Sequence, residues 1–174
     1  YNQEDSLIFN KSSIERGLFR NTLYKTYVSV EEAGESIFCK PNQSQTEKMA
    51  AGDYSYLNED GFIQENVYVD ENKIIIGKCI KTNEYNDKGD PVFIDDSVVV
   101  KRTQDGIVDR VFVGTDADNN RICKVKIRRN QIPEVGDKFC SRHGQKGTIG
   151  ITMSDADLPC TRDGICPDII MNPH

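Results

Sequence analysis

The nine residues from Arg121 to Arg129, RICKVKIRR, alternate between apolar and cationic side chains. A β-strand sends successive side chains to opposite faces. Cys123, Val125 and Ile127 therefore fall on one side, and Lys124, Lys126 and Arg128 on the other. The chain must hold a sheet with one dry face and one charged face, its cations about 7 Å apart along the strand. Phosphates along a nucleic-acid strand have a comparable spacing.

Further runs rich in Val and Ile follow from Gly61 onward: VYVD, KIIIGKCI, PVFIDDSVVVKR and GIVDRVFVG. They are separated by the turn signals NDKGDP (Asn86–Pro91) and TDADNN (Thr115–Asn120). The second joins GIVDRVFVG to RICKVKIRR as a hairpin with a long loop. Near the start, Ser12 and Glu15 fit a capping box, and Ile14, Leu18, Leu23 and Tyr27 recur at near-helical spacing. This spacing predicts a helix over Ser13–Tyr27. Residues 31–56 are polar and weakly periodic, and read as a connection with little regular structure. The fold class is mainly β with some α.

The net charge of −6 argues against a freestanding nucleic-acid binder, but the charge is segregated. Residues 121–150 hold eight Lys/Arg against two acids, Glu134 and Asp137, inside an otherwise acidic chain. Such a patch is the footprint of a polyanion site. A charged content of 29% describes a soluble, polar chain, and no apolar run approaches the length that spans a bilayer. The opening lacks a secretory signal and begins with Tyr1, so the expectation is a piece cut from a longer protein. The six cysteines, which form no C-x-x-C pair, read as reduced and mostly buried thiols in an intracellular protein. The alternative is a zinc-stabilised structural domain using Cys140, His143, Cys160 and Cys166, although the last spacing is wide for such a site.

The basic stretch continues into GDKFCSRHGQKGTIG (Gly136–Gly150), which places Lys138, Arg142, His143 and Lys146 among four glycines. It resembles a phosphate cradle without being a Walker loop, because Lys146 precedes Gly147 and no G-K-[ST] follows. The glycines favour a loop leading from a strand, with close approach of backbone N–H groups to an anion. With the cationic strand before it, the simplest ligand is an extended polyphosphate backbone. No serine–acid or cysteine–acid pattern accompanies His143. Glu4 and Asp5 are the other candidates: consecutive carboxylates serve one metal only if the chain bends there.

Five motifs occur together and in order: YNQEDSLIFNKSSIERGLF, IIIGK, DGIVDRVFV, GDKFCSRHGQKGTIG and DGICPDIIMNPH. Over its whole length the chain resembles the second-largest subunit of multisubunit DNA-directed RNA polymerase. RHGQKG, where bacteria have RHGNKG, favours the eukaryotic, archaeal and large-DNA-virus branch. The resemblance implies a double-psi β-barrel-type hybrid-binding region in two parts, residues 1–20 and 124–174. These are interrupted by a β-rich wall (the flap of bacteria) at residues 21–123.

It also implies that Lys138 lies beside the RNA 3′ end and the incoming nucleotide. Glu4 and Asp5 become the acidic pair near a second magnesium ion, whose main ligands belong to the largest subunit. Lys124, Lys126, Arg128, Arg129, Gln131, Arg142, His143 and Lys146 become candidates for contact with the RNA–DNA hybrid. Gln131 stands where the family usually has a lysine, and Arg129 is a candidate to supply the lost charge. The implied partners are template DNA, the RNA transcript, nucleoside triphosphates and the other polymerase subunits. The implied location is the nucleus, or a viral factory or virion for a large DNA virus. The isolated piece is expected to be inactive, and a non-catalytic nucleic-acid or subunit-binding module is the alternative.

Overall fold

The computed structural model describes residues 3–173. The fold is mainly β, as the residues predict, with fourteen strands and one six-residue α-helix among the described residues. By its own contacts the chain divides into a terminal unit, Tyr1–Thr22 with Asn130–His174, and an inserted unit, Leu23–Arg129.

The terminal unit holds β1 (Ser6–Asn10), α1 (Lys11–Arg16), β12 (Lys138–Cys140), β13 (Lys146–Met153) and β14 (Ile169–Met171). Its curled half-barrel sheet has the order β12-β13-β1-β14. β1 runs parallel to β13 and antiparallel to β14, so chain ends far apart in sequence are stitched side by side. Leu7, Phe9, Ile14 and Ile149 form the core, with Leu18, Phe139 and Ile169 packed against it.

The predicted helix over Ser13–Tyr27 is corrected: α1 ends at Arg16. Gly17 adopts a left-handed φ of +112° and returns its N–H to Ile14 and Ser13, which closes the helix. Leu23 and Tyr27 instead belong to β2 (Asn21–Glu31). The capping box is corrected too. Asn10 is the cap, its side chain accepting from the Ser12 N–H.

The inserted unit carries the alternating strand. β11 (Arg121–Gln131) lies between β2 and β10 (Gly106–Thr115), and β5 (Tyr68–Val69) completes the order β2-β11-β10-β5. Cys123, Val125 and Ile127 are buried in the unit's core, while Lys124 is exposed and Lys126 and Arg128 are half-buried. The TDADNN hairpin forms as read: the Asp116 carboxylate accepts from the Asp118 and Asn120 N–H groups. NDKGDP forms in the same way, with the Asn86 side chain accepting from Lys88 and Asp90. Because β11 stays hydrogen-bonded to β10 from Arg121 to Arg128, its cations belong to this unit. The boundary in contacts falls after Arg129, whereas the resemblance implied 124.

The polar stretch 31–56 is more structured than expected. β3 (Ser36–Phe38) and β4 (Thr46–Glu47) join β7 (Lys78–Tyr85) and β8 (Pro91–Asp95) in a sheet of order β3-β7-β8-β4. Phe38 is buried there, its N–H held by the Glu31 carboxylate at 2.7 Å. β6 (Ile74–Ile76) pairs with β9 (Val98–Val99), and its three isoleucines are fully buried.

Candidate functional site

Lys138 opens β12, which forms a hairpin with β13 in the register Lys138↔Thr148, Phe139↔Gly147, Cys140↔Lys146. The motif that resembled a phosphate cradle is thus a hairpin. Its tip is closed by the Ser141 N–H to the Gln145 carbonyl at 2.9 Å and by Gly144 at φ +77°. Arg142 and His143 are exposed at that tip, and Lys146 is exposed on the return strand.

Thr148 is also the partner of Ser6 on β1. Lys138, Thr148 and Ser6 therefore form one row across three strands, which separates the outer two backbones by about 10 Å. Their chain neighbours Phe139, Ile149 and Leu7 pack in the core. Alternation thus turns the row outward.

The residues before Ser6 bend sharply. Glu4 and Asp5 have left-handed φ values of +39° and +60°, and the Ser6 N–H returns to the Gln3 carbonyl at 3.2 Å. Such backbone is uncommon outside glycine and persists only where neighbours hold it. Here the Thr148 N–H donates to the Asp5 carbonyl at 2.7 Å. Gly147 permits the approach: a Cβ there would stand 2.8 Å from Leu7 Cγ and 3.0 Å from the Asp5 carbonyl oxygen. The chain bends at these two residues, and both are exposed. Among the described residues no three His, Cys, Asp or Glu side chains form a metal cage.

These features and the whole sequence agree with one family. The model of RNA polymerase Rpb2, domain 6, matches residues 1–174. The chain belongs to this family. It is 46% identical to DNA-directed RNA polymerase II subunit RPB2 of Encephalitozoon cuniculi, covering 100% of this chain and 16% of that protein. Identity is 40% to DNA-directed RNA polymerase II subunit 2 of Arabidopsis thaliana, over 100% of this chain and 15% of the relative. It is 38% to the archaeal subunit Rpo2 of Sulfolobus acidocaldarius, over 100% and 16%. The chain spans about one sixth of the length of these relatives. The resemblance drawn from the five motifs is borne out.

Within this Rpb2-type segment the candidate residues divide between the two units. Glu4, Asp5, Gln131, Lys138, Arg142, His143 and Lys146 lie in the terminal unit, and Lys124, Lys126, Arg128 and Arg129 in the inserted one. The three-cation row on β11 is only partly free. Arg128 is ion-paired with Asp109 at 2.8 Å, a residue brought across by a bulge in β10. Arg129 donates to the Thr103 carbonyl and lies 3.9 Å from Asp105. Lys126 sits 4.4 Å over the Tyr24 ring, and Lys124 faces solvent opposite Phe112.

The expectation of six reduced thiols is corrected. Cys160 and Cys166 are joined to each other across a tight turn, which also removes them as zinc ligands. Cys123 is buried, and desolvation pushes its thiol up to about 11. Cys140 is exposed.

Sequence reasoning missed the surroundings of Lys138. A cavity of about 530 Å³ is lined by Lys138, Gln131, Phe19, Arg20, Asp137 and Phe139, among others. Phe19 stacks 5.0 Å from Phe139 and 6.1 Å from Phe9, on left-handed backbone at φ +52°. The available signal was Gly17, which ends the helix and frees Phe19 and Arg20 to reach this site.

Proposed function

We propose that this chain is part of the catalytic core of a DNA-dependent RNA polymerase, where it holds the RNA–DNA hybrid and positions the reacting ends. The observation that carries this reading is the row Lys138–Thr148–Ser6, which ends beside the Glu4–Asp5 bend. A cation and, two strands away, a pair of exposed carboxylates suit nucleotidyl transfer. There the RNA 3′-hydroxyl attacks the α-phosphate of a nucleoside triphosphate and pyrophosphate leaves.

Lys138 offers positive charge to the phosphate oxygens as negative charge shifts among them. Glu4 and Asp5 would help hold a magnesium ion shared with the largest subunit. When bound, that ion supplies charge neutralisation to the triphosphate. Arg142, His143 and Lys146 on the hairpin contact the hybrid backbone, and Lys124 and Lys126 in the inserted unit are separate candidates for nucleic-acid contact. The hairpin residues position the hybrid without reading its sequence. Template pairing supplies the specificity. The partners are template DNA, transcript, nucleoside triphosphates and the other polymerase subunits. The higher identity to eukaryotic relatives supports a nuclear location.

The test is Lys138→Ala in the assembled polymerase. Single-nucleotide addition should slow by about a hundredfold or more, while affinity for the DNA–RNA scaffold changes far less. An equal loss in both would remove the catalytic role and leave a binding role only.

A further inference from the structure

We propose that Arg20 is the second cation of the Lys138 site, and that the two side chains together hold one phosphate group of a nucleotide or of a nucleic-acid strand end. This rests on the reading of Lys138 given above. Both residues line the same cavity of about 530 Å³, a volume within the range of small-molecule sites. Both are exposed, and neither forms an ion pair with a described residue.

Asp137 offsets a single charge, so Arg20 and Lys138 leave the cavity net positive. The Asp137 carboxylate is taken by the Glu134 N–H at 3.0 Å. Two cations lining one cavity, neither in an ion pair, are both drawn to a doubly charged oxyanion placed in it. The planar guanidinium can take two of its oxygens at once, which an ammonium cannot.

The alternative source of a second charge is engaged elsewhere, since Arg129 binds the Thr103 carbonyl and faces Asp105 in the inserted unit. Gln131 lines the cavity but carries no charge. The Arg20 backbone is held in place by its neighbours. Its N–H returns to the Gly17 carbonyl at 3.2 Å, and the preceding Phe19 is pinned on left-handed backbone against Phe9 and Phe139. Phe19 remains half exposed at the cavity, an apolar surface on which a base or sugar can rest.

The experiment compares Arg20→Ala, Arg20→Lys, Gln131→Lys, the double variant Arg20→Ala/Gln131→Lys and Lys138→Ala in the assembled polymerase. It measures single-nucleotide addition against nucleoside triphosphate concentration. Arg20→Ala should lower the efficiency of addition by about tenfold or more, the scale of one charged hydrogen bond. Arg20→Lys should lower it less, and Gln131→Lys should restore most of what Arg20→Ala loses.

A rise in the half-saturating triphosphate concentration assigns the phosphate to the incoming nucleotide. A fall in the saturated rate alone assigns it to the strand end. If Lys138→Ala slows addition but Arg20→Ala matches the parent enzyme, the role of Arg20 is overturned while that of Lys138 stands. Failure of Gln131→Lys to rescue would also overturn it, because a merely structural Arg20 is not replaced by charge on another strand. If Lys138→Ala has no effect, both readings fall together.

Discussion

Gly147 shows how one residue sets the geometry of the site. It lies between Lys146 and Thr148, opposite Phe139, where the start of β1 comes too close for any side chain. Gly147→Ala would force Leu7 and the Asp5 carbonyl outward, and overpacking of this kind costs about 1–3 kcal/mol. The predicted outcome is slower nucleotide addition in the assembled enzyme with Lys138 untouched, accompanied by faster amide exchange at Thr148. Unchanged exchange there would mean that the strands relax elsewhere. The glycine was visible in the sequence and its purpose was not, because the clash is with a residue 140 positions away. A separation of only 19 positions was enough to hide the pairing of Arg128 with Asp109, which needs the bulge in β10. Alternation announced where Arg128 points and could not announce what meets it.

Among the elements, β11 and its hairpin were legible because their information is local: a two-residue period, and turn residues whose side chains close their own loops. α1 was misread for the complementary reason. Leu18, Leu23 and Tyr27 keep near-helical spacing by coincidence, while the left-handed Gly17 ends the helix one residue after Arg16. That error carried Phe19 and Arg20 into a helix and out of the site.

The true cap, Asn10, joins α1 to the far end of the chain. Its buried side chain accepts from the Ser12 N–H and donates to the Pro167 carbonyl at 3.1 Å and to the Asp155 carboxylate. Hydrogen bonds from Asn10 and then Ser12 hold the Asp155 carboxyl below its ordinary range. A depressed folded value contributes stability that is present above the unfolded value of about 4 and is lost as pH falls through the folded one. Asn10→Ala should cost about 2 kcal/mol and speed amide exchange in α1 by up to about thirtyfold at neutral pH. The difference from the parent should shrink as acid protonates Asp155. A difference independent of pH would show that the Asp155 contact contributes nothing.

For the whole molecule, charge segregation marks one cationic stretch, which the contacts divide between two bodies. Cations from Lys124 to Arg129 are built into the inserted sheet, and those from Lys138 to Lys146 into the terminal half-barrel. Motif order carries the resemblance to the family, whereas the partition follows from long-range strand pairing that no local pattern records. The site itself depends on parallel pairing of β1 with β13, which brings residue 5 beside residue 148. The central claim is that Lys138 and the Glu4–Asp5 bend serve one reaction. It is tested most directly by a double-mutant cycle on the rate of single-nucleotide addition in the assembled polymerase, using Lys138→Ala, Asp5→Asn and both together. Residues acting on the same transition state are non-additive, so the double variant should be clearly faster than the product of the two single effects predicts. A double variant whose loss equals that product would show that the two act independently, and would contradict a shared site.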